Sequence, residues 1–261
     1  MKKRIAVVLV ALVLSFSCII GTTLAWLTDK TDSVVNTFTY GDIDIELWEH
    51  PIKDNGYELD ASATVVKNED GYKMIPGTIL DKDPYVEIAV GSEACWVFIK
   101  IEESGGNVTI GEKTYSFDDF LVYAIETGWT LYVDGTTTGD IVNTNGTEIN
   151  TNTNDTYVIY QSVDSTVGAT EATKLPILGS GNYTDTAVTP NSLVNWSDNE
   201  LAVKPSVTKQ MLNLLDKDGS GNALATKLYP KLTFTAYAVQ KDNATTGIDT
   251  VAEAYAIAFN N

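Results

Sequence analysis

Residues 33–48 read Ser-Val-Val-Asn-Thr-Phe-Thr-Tyr-Gly-Asp-Ile-Asp-Ile-Glu-Leu-Trp. In the first half, Val34, Asn36, Phe38 and Tyr40 share one face of an extended chain, and Val35, Thr37 and Thr39 share the other. That two-residue period is the signature of a β-strand. Gly41 and Asp42 then turn the chain into Ile43, Asp44, Ile45 and Glu46, where apolar and acidic residues alternate. One face of this second strand is expected to enter a core while the other meets water.

Working outward, β-prone runs recur at 63–66, 85–90, 95–102, 129–133, 157–160 and 232–239, separated by turn residues such as Pro76 and Gly77. Many short strands at this spacing predict a mainly β protein, a jelly-roll-like antiparallel β-sandwich. A few short peripheral helices are expected at 117–126, 207–216 and 251–259. The first has Ser116 as a cap and Asp118 and Asp119 in its first turn, the second is introduced by Pro205 and Ser206, and the third follows Asp249 and Thr250. Residues 134–156 are rich in Thr, Asn and Gly, hold too little apolar surface for a core, and are read as a polar loop or hairpin tip; 179–185 is read the same way.

The start of the chain carries Lys2, Lys3 and Arg4, then an apolar run over 5–20 broken only by Ser15 and Ser17. These are the charged and apolar regions of a secretory signal. Small residues at Thr23 and Ala25 predict cleavage between Ala25 and Trp26. The alternative is an uncleaved membrane anchor, against which Gly21, Thr22 and Thr23 interrupt the run before it spans a bilayer. Acylation at Cys18 is disfavoured, because the residue sits deep inside the run with Ile19 and Ile20 after it.

Cleavage would leave 236 of the 261 residues, the size of one sandwich domain over 26–261. It removes three basic residues and no acidic one, moving the formal net charge from −18 to −21. Such a field repels nucleic acid and anionic surfaces, and holds copies of the chain apart until salt screens it. Beyond the signal only Cys95 remains, so no internal disulfide can form; Trp96, Val97, Phe98 and Ile99 follow it, the setting of a buried strand residue.

Catalytic chemistry finds little support. Zinc peptidases usually place two histidines one helical turn apart with a glutamate between, and His50 is the chain's sole histidine. The same scarcity deprives a serine or cysteine triad of a ready base. Asp216, Asp218, Ser220 and Asn222, with Gly221 at the sixth place, resemble the start of a calcium loop, yet its twelfth place is Lys227 where a bidentate glutamate belongs. An acidic turn is the simpler reading, and no cofactor is expected, with calcium the one candidate. Five tryptophans and thirteen tyrosines keep a carbohydrate-binding or adhesive role open, although in sandwiches such side chains more often fill cores and interfaces.

A pattern spans the N-terminal segments: Gly21, Thr22, Thr23, Leu24, Ala25, Trp26, Leu27, Thr28 and Asp29, then Ser33 through Asp44 as quoted. It resembles the TasA and camelysin family, whose members are cut by the dedicated signal peptidase SipW. Supporting marks are Pro76-Gly77-Thr78, Asp83-Pro84 before the next strand, the run Ala236-Tyr237-Ala238-Val239-Gln240, and an Ala-rich stretch over 252–258; residues 103–230 match poorly. The resemblance implies a jelly-roll sandwich, export to the cell surface or extracellular matrix, contact with the membrane only before cleavage, and self-association into biofilm fibres alongside other matrix proteins. In such fibres the N-terminal strand of one subunit completes a sheet of the next. Residues 26–40 have the form required, being short, β-prone and without proline, and Val34, Val35, Asn36, Phe38 and Tyr40 would give the register. The rivals are a secreted adhesin or binding module that stays monomeric and, less favoured with one histidine, a camelysin-like metallopeptidase. No sorting pentapeptide is recognisable, since Leu175-Pro176-Ile177-Leu178-Gly179 lacks the threonine, so attachment is expected to be non-covalent.

Overall fold

A computed structural model describes residues 28–30, 43–66, 71–133, 136–140, 156–166, 168–241, 248 and 250–259. Its backbone is a six-stranded antiparallel sheet faced by a layer of smaller sheets. In spatial order the large sheet runs β1 (Thr28–Lys30), β18 (Lys231–Gln240), β5 (Cys95–Ser104), β12 (Thr156–Val163), β10 (Thr130–Val133) and β11 (Thr136–Asp140). Opposite it lie β13 (Thr173–Pro176), β4 (Tyr85–Ile88) and β2 (Ile45–Trp48), the pair β14 (Leu178–Gly179) and β9 (Ala124–Ile125), and the trio β3 (Ile79–Asp81), β17 (Glu200–Val203) and β8 (Leu121–Val122). Two hairpins complete the strands, β6 (Val108–Ile110) with β7 (Lys113–Tyr115) and β15 (Gly181–Asp185) with β16 (Ser192–Trp196). This is the expected mainly β, antiparallel sandwich with few helices.

The main core lies between the layers. Cys95, Val97, Ile99 and Ile101 of β5, Tyr157 and Ile159 of β12, and Ala236 and Ala238 of β18 meet Ile45, Val86, Ile88, Ile125, Leu178, Leu201 and Val203. Each such side chain taken fully out of water contributes about 1.5–3 kcal/mol for the larger aliphatics. Trp129 closes one end of this core at 2% exposure, and its indole nitrogen donates to the Pro176 carbonyl oxygen at 2.8 Å, so burial leaves no polar atom without a partner there.

Both layers are also covered on their outer faces. The hairpin β15–β16 lies over the smaller sheets, packing Val194, Trp196 and Tyr183 against Val122, Ala124, Ala202 and Ile79. The large sheet is covered by the last helix, Val251–Phe259, over Phe98, Tyr132, Val158, Tyr160, Tyr237 and Val239.

Several expectations are corrected. Residues 117–126 form a 3-10 turn, Phe117–Asp119, followed by β8 and β9. Ser116 stands at the N-cap of that turn, and the Asp119 carboxylate accepts from its backbone N–H at 3.0 Å. Leu121, Tyr123 and Ile125 point into the main core while Val122 and Ala124 point into the outer cluster, so strands buried on both sides present a continuous apolar run that mimics a buried helix. Residues 181–185 are strand β15, although their composition reads as loop. A Cβ on Gly181 would stand 2.4 Å from the Trp196 ring, so glycine is there for close approach. Of 63–66 only Val66 pairs, with Glu49 across an isolated bridge. Part of the expected polar loop 134–156 is strand, because β11 and the first residue of β12 fall within it. The helix expected over 207–216 is Lys209–Leu214, capped by the Thr208 hydroxyl accepting from the Met211 N–H at 3.2 Å, and the third expected helix occurs over its predicted range.

Candidate functional site

β18 is the hinge of the candidate site. Along one side it pairs over its full length with β5, from Lys231 opposite Ser104 to Gln240 opposite Cys95. Along its other side β1 pairs antiparallel, with Thr28 opposite Val239, Asp29 opposite Ala238 and Lys30 opposite Tyr237. Among the described residues β1 is thus an edge strand, held to the rest of the large sheet through one neighbour. It lies inside the 26–40 segment singled out in the sequence. The other members of that segment, Val34, Val35, Asn36, Phe38 and Tyr40, lie outside the described residues, as do the cleavage-site residues Thr23, Ala25 and Trp26.

The strand that receives β1 has two unlike faces. Ala236 and Ala238 are small and buried in the main core, whereas Tyr237 and Val239 lie under the last helix. Phe259 packs on the Tyr237 ring at 4.4 Å between centroids and on Tyr255 at 4.5 Å, and Tyr255 stacks on Tyr132 at 3.9 Å. That helix runs beside β1 as well as packing over β18 and β5. The sequence announced the helix but not this aromatic cluster, because its members come from segments far apart in the chain.

The calcium candidate folds as a turn closed on itself. Asp218 accepts from the Ser220 and Asn222 N–H groups at 2.9 and 2.8 Å, and from the Asn222 side-chain amide at 3.0 Å. These hydrogen bonds, with Asn222 foremost, hold its carboxyl below the usual value. Lys227 directs its ammonium to the Asp216 carbonyl at 3.3 Å, a cation at the place where a ligand is wanted. Among the described residues no group of three or more His, Cys, Asp or Glu stands together as a metal site.

The remaining chemical groups are tied into structure. His50 is locked to Asp83, its backbone N–H donating to one carboxylate oxygen at 2.9 Å and its ring Nδ1 lying 2.6 Å from the other. Beside it Lys82 and Glu49 form a buried ion pair at 2.6 Å. Together the two pairs pin the end of β2 to the turn between β3 and β4. Cys95 is wholly buried, and burial pushes its thiol up to about 12, the opposite of what a nucleophile needs. A buried network not anticipated from the sequence joins β5 and β12 to the link between β8 and β9, in which Tyr123 donates to Glu103 at 2.5 Å and touches the Tyr157 hydroxyl. Burial raises the Tyr123 phenol well above its ordinary value.

Comparison with family models, with curated proteins and with solved structures finds no match for this chain.

Proposed function

We propose that the chain is a secreted structural subunit of extracellular matrix or surface fibres, and that copies assemble by lending the N-terminal strand of one to the β18 edge of the next. The observation that carries this reading is β1 itself, a three-residue strand at the margin of the main sheet that pairs with a strand from the other end of the sequence. An identical strand from a second copy can make the same ladder, so exchange needs no new interface. Cleavage after Ala25 by a SipW-type signal peptidase would release the strand from the membrane and thereby start assembly.

Electron microscopy and sedimentation of the secreted chain starting at Trp26, beside one starting at Gly41, test this across salt concentrations. Fibres are expected from the longer chain alone, forming faster as salt screens the negative charge. Folded monomers from both under all conditions would point instead to the monomeric adhesive module.

A further inference from the structure

We propose that the last helix, Val251–Phe259, is a latch that keeps β1 on its own β18 in the unassembled chain, so that strand release and helix release are coupled; as a control on assembly this rests on the strand-addition reading.

Two residues join the parts. Tyr237 pairs through its backbone with Lys30 of β1, while its ring packs on Phe259 of the helix. Val239 pairs with Thr28, while its side chain lies in the cluster that contains Val251 and Ala254. The main chain that holds the strand therefore carries the side chains that seat the helix, and the helix runs beside the strand. Loss of either contact loosens the support of the other, and the coupling must run in both directions.

The helix is suited to being displaced. Nine residues are too few to form a stable helix alone in water, so this one exists because it is docked. Its start is fixed locally by Thr250 and Glu253, whose side chains each bond the other's backbone N–H. Its seat is largely aromatic, chiefly Tyr255 and Phe259 against Phe98, Tyr132 and Tyr237. Glu253 is its one charged residue, so salt that screens the subunits' mutual repulsion leaves the latch in place.

The test is hydrogen exchange read by mass spectrometry on the protein recovered from the medium, kept monomeric at low salt, comparing wild type with Tyr255→Ala/Phe259→Ala. Exchange at Thr28–Lys30 should accelerate about ten-fold, with β5 and β12 unchanged, and any fibre lag should shorten. Faster exchange without fibres in either protein would keep the latch and sink strand addition. Unchanged exchange at Thr28–Lys30, with the helix frayed, would overturn the latch. Should the double variant lose protection throughout β5, Phe259→Leu, which keeps the Tyr132–Tyr255 stack, is read by the same criterion.

Discussion

The large sheet ends in two edges of opposite character. At one, β11 is joined to β10 by residues 134–135 alone and pairs with it as a local hairpin; at the other, β1 meets β18 from the far end of the sequence. A hairpin re-forms whenever its own residues meet, because a two-residue connection costs little loop entropy. β1 is joined to the sandwich through residues 31–42, which presents it to its own β18 at an effective concentration in roughly the mM range. A neighbour's strand must match that figure. Crowding and charge screening therefore decide between a closed monomer and exchange at the β1 edge, whereas no such competition arises at β11.

The largest expected effect comes from spoiling the strand that exchange requires. Val35→Pro removes a backbone donor in the middle of the 26–40 segment and should reduce sedimentable fibre to the level of the chain starting at Gly41. A urea melt of the monomer reads, separately from fibre yield, whether the substitution also disturbs the closed fold. Fibres of normal yield would remove the distinction between the edges.

Cutting the sheet at its centre should affect both edges alike. Ile99 of β5 is fully buried between Ile159 and Ala236, and Ile99→Ala should cost about 2–5 kcal/mol in urea unfolding. Hydrogen exchange should then rise at β1 and β11 together. A rise confined to β1 would mean that the β1 edge opens by a route separate from the sheet as a whole.

How far these features were legible in the sequence depended on whether the signal was local. β-prone runs bounded by turn residues gave away β5, β12 and β18, and Asp249 and Thr250 before an apolar run marked the last helix. Residues 121–125 misled because they alternate between two cores, both apolar, which erases the polar half of the pattern. β15 misled because its glycine answers to the bulk of Trp196, a residue fifteen positions on, which composition does not reveal. The candidate edge was half readable: the strand-forming tendency of 26–40 is local, but the choice of β18 as partner is set by the packed sheet.

A thiol in the interior reports whether exchange disturbs more than the edge. Cys95 sits between Val163 and Gln240 in the middle of the sheet, and its thiol is pushed up to about 12. At pH 8 only about one molecule in ten thousand would carry the thiolate, so alkylation should be slow and should quicken as pH rises toward that value. Equal rates in monomer and fibre are expected if strands swap with the sheet closed. Faster labelling during assembly would show that the sheet itself opens.

The smallest effect belongs to the β11 edge. Val133 pairs with Thr136 and Tyr132 with Thr137, but Thr130 then pairs with Asp140, so Thr138 and Gly139 together oppose Leu131. The ladder is already irregular there, and a bulge on an outermost strand is one of the places where proline is tolerated. Thr138→Pro should thus shift the urea midpoint by less than about 0.5 kcal/mol in equivalent stability and leave fibre yield unchanged. Set beside Val35→Pro it is the same chemical lesion at the other margin of one sheet. If both variants lost fibres equally, assembly would depend on the whole sheet's rim, and the asymmetry between a hairpin edge and an edge closed from afar would have no part in it.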